Sequence, residues 1–115
     1  MQPGAIANPF SDVSPADLAD AVNRLVAELK PRAIYLFGSH AQGMPRSDSD
    51  VDLMIVVDKP LDTVESLQGA YACIRGVPLR LEMHFCTRER FERFAPVFGT
   101  LQNDVLRKGV LLYAA

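Results

Sequence analysis

Apolar residues recur along this chain with two periods, one near 3.6 and one of 2, and the switches between them mark its elements. Leu18, Val22, Leu25, Val26 and Leu29 fall on one helical face. Ser14 precedes them as N-cap, Pro15 takes the first helical position, Asp17 stands where a capping box closes, and Pro31 stops the segment. Ala33 to Phe37 is a short β-type run closed by Gly38. Val51 to Val57 is an almost unbroken apolar run, as expected of a strand buried on both faces. Between these strands, Ser39 to Gly43 leaves room for about one helical turn before Met44-Pro45-Arg46-Ser47 forms a loop.

Asp62 or Thr63 caps a second helix on which Val64, Leu67, Tyr71 and Ile74 share a face, until Gly76 and Pro78 end it. Leu79 to Cys86 alternates as a third strand should. Arg80, Glu82 and His84 lie on one side and Leu79, Leu81, Met83 and Phe85 on the other, the pattern of a half-solvated edge. Thr87 opens a helix over Arg88 to Phe94, Pro96 interrupts, a last helix runs from Thr100 to Lys108, and Gly109 releases a final strand, Val110 to Tyr113. Helices alternating with strands predict an α/β sheet layered with helices.

Length and charge narrow the picture. A chain of 115 residues fits a single domain, read as residues 14–115 behind a flexible lead-in over 1–13. Twelve basic against 14 acidic side chains give a net charge of -2, which offers no general attraction to nucleic acid. Cys73 and Cys86 have neither zinc-site spacing nor disulfide density, so both read as packing residues in a reducing cytoplasm. No apolar run approaches a membrane span, and MQPGAIANPF lacks the basic and apolar regions of a signal peptide.

The chemistry concentrates in YLFGSHAQGMPRSDSDVDLMIVV. Successive strand side chains face opposite ways, so Asp50 and Asp52 project from one face at the start of the second strand while Val51 enters the core. Two carboxylates so close repel unless a cation lies between them, and their hard oxygens suit Mg²⁺ accompanied by substrate phosphates. Gly38-Ser39 supplies the complement: a strand that ends in glycine and turns into a short helix exposes backbone N–H groups, and the Ser39 hydroxyl adds a donor for an anion. Gly43 lets the chain return to Asp50. Each part alone is ordinary loop chemistry; the ordered combination of apolar strand, Gly-Ser, ten residues and Asp-x-Asp opening another strand is specific.

That stretch resembles the GS-x10-DxD signature of the DNA polymerase beta-like nucleotidyltransferases, and the short chain resembles their minimal branch, the MNT proteins. The resemblance implies a small mixed β-sheet packed with helices. It also implies a nucleoside triphosphate, ATP, held at Gly38 and Ser39 with Gln42 and Ser49 nearby, and two Mg²⁺ ions held by Asp50, Asp52 and a third acid. Glu82 in LRLEMHF matches the third acid, although the family more often has aspartate there. Gln42 stands where the family commonly has a basic residue facing the triphosphate. His40 and Arg46 are the nearby groups that could replace it, and both otherwise read as exposed turn residues. The Arg88, Arg90 and Arg93 cluster, interleaved with Glu89 and Glu92, reads as a solvated helix face.

MNT proteins commonly pair with a HEPN protein, usually an all-helical RNase toxin, and some silence it by transferring AMP onto a tyrosine. The resemblance therefore implies an antitoxin with AMP-transferring activity. Two other readings stay open: a degenerate MNT that neutralises its toxin by binding alone, and an adenylyltransferase acting on a small molecule such as an antibiotic. A homo-oligomer is compatible with any of these.

Overall fold

The computed structural model describes residues 14–42 and 50–115. The lead-in over 1–13 and the loop residues Gly43, Met44, Pro45, Arg46, Ser47, Asp48 and Ser49 lie outside them. Helix α1, Pro15–Leu29, begins as its sequence dictates: the Ser14 hydroxyl accepts the Asp17 N–H at 3.3 Å, and Pro15 sits in the first turn. It ends on Lys30 in the left-handed region, φ 48°, whose N–H donates to the Val26 carbonyl at 3.0 Å. Leu18, Ala21, Val22 and Leu25 are buried. Strands β1, Ala33–Phe37, and β2, Val51–Val57, have the expected bounds, and six of the seven residues of β2 are buried.

Helix α2, Val64–Cys73, carries a reciprocal Thr63–Ser66 capping box. Its large apolar side chains do not turn inward. Val64, Leu67 and Tyr71 are exposed, while Ala70 is buried in the core and Cys73 and the cap residue Ile74 pack at its margin. Small residues form the inner face because α2 lies against α1. Gly69 stands beside Glu28, where an added Cβ would lie 3.4 Å from the carboxylate, and Arg24 of α1 donates to the Cys73 and Arg75 carbonyls at 3.4 and 2.9 Å. Burial, and after it the Glu28 carboxylate, pushes the Cys73 thiol up, which keeps it protonated and suits a packing role.

Strand β3, Leu81–Thr87, starts two residues later than the alternation predicts. Leu79 is held in a turn by its N–H donating to the Val77 carbonyl, 2.8 Å, although the Arg80 carbonyl still accepts the Val51 N–H at 2.7 Å. Helix α3, Arg88–Phe94, is capped by Thr87, and α4, Leu101–Lys108, by Thr100. Strand β4 covers Val110–Ala114.

The sheet order is β3-β2-β1-β4. Strand β2 pairs antiparallel with β1 and parallel with β3, and β1 pairs antiparallel with β4, so the sheet is mixed. A parallel neighbour cannot follow through a tight hairpin, and α2 supplies the crossover. Helix α1 and Ala70 of α2 cover one face through Ile34, Leu36, Leu53, Ile55 and Leu112. The other face carries Met54, Val56 and Cys86 beneath Phe91, Ala95 and Val105 from the α3–α4 side.

Gly109 joins α4 to β4 where no side chain fits: an added Cβ would lie 2.9 Å from the Leu36 carbonyl oxygen and nearer still to that of Val105. Backbone atoms cannot swing aside as a side-chain end can. Gly109→Ala is therefore expected to destabilise the fold by about 1–3 kcal/mol, the usual cost of overpacking, read as a lower denaturation midpoint with unchanged slope.

Candidate active site

The site begins where β1 stops. Antiparallel pairing sets Phe37, the last residue of β1, against Asp52 near the start of β2. Gly38 then takes φ +78°, a left-handed conformation costly for side-chain-bearing residues, and a Cβ there would lie 2.5 Å from Asp52 Oδ2. Glycine both turns the chain and lets the Asp52 carboxylate approach the turn. The Gln42 N–H donates to the Gly38 carbonyl at 3.3 Å, closing one helical turn around Ser39, His40 and Ala41. Leading N–H groups of such a turn have no partner within it, which is the condition for cradling an anion.

Across β2, the parallel register sets Asp52 opposite Glu82 and Met54 opposite His84. One ligand atom from each of Asp52, Glu82 and His84 lies within 4.8 Å of the others. His84 Nε2 is 3.5 Å from Asp52 Oδ1 and 3.7 Å from Glu82 Oε1. The imidazole packs edge-on to Phe37, with ring centroids 5.1 Å apart and planes at 63°. Thus β1 contributes the turn and an aromatic brace, β2 the central acid, and β3 an acid and an imidazole. Asp50 precedes β2 and stands beside Arg80, Oδ1 to Nε 3.2 Å, in a largely solvated pair.

These donors fit a divalent cation. Two carboxylates and an imidazole nitrogen are ordinary metal ligands, and His84 Nε2 is shielded from solvent with no hydrogen-bond partner among the described residues. A polar atom left so is costly in a protein interior, and a shared cation would satisfy it together with both carboxylates.

A family model described as Polymerase beta, Nucleotidyltransferase matches residues 20–115. The chain belongs to the polymerase beta nucleotidyltransferase family. Among solved structures, a toxin–antitoxin crystal structure with AMP-PNP is similar to this nucleotidyltransferase at 22% identity and TM-score 0.59, over 83% of this chain and 72% of that one. A proposed nucleotidyltransferase from Sulfolobus solfataricus is similar at 19% identity and TM-score 0.48, over 83% of this chain and 87% of that one. At 22% identity the first of these likenesses speaks to the fold alone. A search of curated proteins gives no match.

Within this polymerase beta-like domain, the structure brings Gly38, Asp52 and Glu82 together with His84 beside them, whereas Asp50, expected to share one spot with Asp52, lies outside that group because its carboxylate turns to Arg80. Ser39 is half-buried and Gln42 exposed, while Ser49 and Arg46 lie outside the described residues. His40 departs from the expected exposed turn position: it is 4% exposed, because the single turn after Gly38 carries Ala41 against the core and His40 out of solvent. The arginine cluster of α3 is solvated as expected, with Arg88 paired to Glu92 at 3.2 Å and Arg93 to Glu89 at 2.9 Å. No described helix is long and apolar enough to cross a membrane.

Proposed function

We propose that this protein moves AMP from ATP to an acceptor hydroxyl, a tyrosine on a HEPN-type toxin, and serves as that toxin's cytoplasmic antitoxin, with residues 14–115 as its catalytic domain. The observation that carries the reading is the convergence of Gly38, Asp52 and Glu82 at one end of β1, β2 and β3. Family membership makes nucleotidyl transfer the reaction class. The toxin–antitoxin fold neighbour with AMP-PNP supports an adenine nucleotide and a toxin partner.

In this reading the Gly38-Ser39 turn binds the terminal phosphates, with Gln42 and Ser49 adding donors that carry no charge. Asp50, Asp52 and Glu82 would hold two divalent metal ions, Mg²⁺ among them, which when bound would stabilise the attacking and leaving oxygens of an in-line displacement. The acceptor oxygen forms a bond to the α-phosphorus, the bond from that phosphorus to the bridging oxygen breaks, and pyrophosphate leaves with the electron pair. Glu82 is the more open of the facing acids, its side chain 55% exposed against 24% for Asp52, so it faces the arriving hydroxyl and accepts its proton.

Nucleotide binding is tested by thermal shift. A ligand that binds only the native state at a hundred times its Kd stabilises by about 2.7 kcal/mol, a shift of about 10 °C for a domain of this size. Asp50→Asn combined with Asp52→Asn is expected to lose most of the gain from MgATP. A double variant that gains as much as the parent from MgATP would remove these acids from the site.

A further inference from the structure

We propose that His84 is itself a metal ligand, and that Asp52, Glu82 and His84 form a position selecting a first-row transition ion, Mn²⁺ in particular, over Mg²⁺. The inference rests on the proposed function only in placing a cation at this end of the sheet. The second position, which the proposed function assigns to Asp50 and Asp52, would have oxygen donors only and suit the Mg²⁺ that accompanies a triphosphate.

Four observations lead there. First, His84 Nε2 lies 3.5 and 3.7 Å from one oxygen of each facing carboxylate, long for hydrogen bonds. Metal bonds of about 2.1 Å instead put neighbouring ligand atoms about 3 Å apart and opposite ones about 4.2 Å apart, a range that brackets both distances. Second, that nitrogen is shielded from solvent and has no hydrogen-bond partner among the described residues. Third, the imidazole is preorganised: Phe37 packs edge-on against it, and strand pairing fixes the backbones of Asp52, Glu82 and His84 on adjacent strands. Fourth, the donor set itself discriminates. Mg²⁺ demands oxygen ligands and dehydrates reluctantly, whereas borderline transition ions accept imidazole readily, and a nitrogen among carboxylates tilts the site towards them.

The test uses the tag-free, nucleotide-free protein with Mn²⁺ alone, read by pulsed electron paramagnetic resonance. The sequence holds two histidines, so a bound imidazole is His40 or His84. The parent is expected to show nitrogen modulation of the Mn²⁺ echo, altered by ¹⁵N-histidine labelling and abolished by His84→Phe, which keeps an aromatic ring against Phe37. Mn²⁺ affinity of His84→Phe should fall about tenfold or more while Mg²⁺ affinity is unchanged. The labelled-parent measurement stands even if the variant folds poorly. Absence of nitrogen modulation in the parent, or its survival in well-folded His84→Phe, would overturn the proposal. Stabilisation by MgATP with no nitrogen signal defeats the His84 assignment alone. A His84-dependent Mn²⁺ signal in a protein that never transfers a nucleotide would leave the assignment standing and defeat the transferase reading.

Discussion

Asp52→Asn is expected to lower the rate of AMP transfer by about 10³-fold or more, the largest effect of any single substitution in the site. The expectation follows from its position: Asp52 pairs with Phe37 on one side and Glu82 on the other, and its Oδ2 approaches the Gly38 turn. Its charge therefore belongs to the phosphate end and the acceptor end of the proposed reaction at once. Losing one donor to transition-state charge ordinarily costs 10²–10³ in rate, and a carboxylate shared by two cations has more to lose. Glu82→Gln should behave differently, lowering transfer while leaving MgATP binding largely intact, because Glu82 faces the acceptor rather than the triphosphate. Single-turnover transfer of labelled AMP, measured beside nucleotide binding, separates the two variants. Parent-like transfer by Glu82→Gln would return Glu82 to a solvated edge strand, and parent-like transfer by Asp52→Asn would end the proposed mechanism.

Much of the frame behind these expectations was legible in the sequence because it is written locally. The bounds of β1, β2 and α3 agree residue for residue with the apolar runs and their stops. The GS-x10-DxD spacing pointed to a turn and an acid that a single antiparallel pairing brings together, Phe37 opposite Asp52. Two of the features that escaped did so for separate physical reasons. On α2 the bulky residues suggested an apolar face, but close approach to α1 needs small side chains, so Ala70 went in and Val64, Leu67 and Tyr71 stayed out. His84 was visible on the same side of its strand as Glu82 in LRLEMHF. What the alternation could not supply was the parallel register of β2 and β3, a contact across the α2 crossover that places His84 Nε2 between Asp52 and Glu82. Long-range register depends on the whole sheet.

Adding the proposed toxin partner is expected to raise the proposed AMP transfer by about 10²-fold or more over the turnover of ATP by this protein alone. Holding two reactants in an aligned geometry is worth several orders of magnitude in rate, and the described residues offer little to supply it. Glu82 is more than half exposed, Asp50 and Arg80 are solvated, and the trio lies at one end of the sheet. An open site neither excludes water nor orients a hydroxyl for in-line attack. A partner seated over that end would do both, and a tyrosine brings the hydroxyl on a rigid ring. Intact-mass spectrometry of the mixture with MgATP should find the partner heavier by one or more AMP units, and peptide mapping should place them on tyrosine. Asp52→Asn should abolish the added mass. An unmodified partner, held in a complex that still suppresses toxicity after Asp52→Asn, would make this protein a binding module that acts by occlusion. Rapid adenylylation of a small molecule by the isolated protein would instead mean that the acceptor needs no second chain to position it.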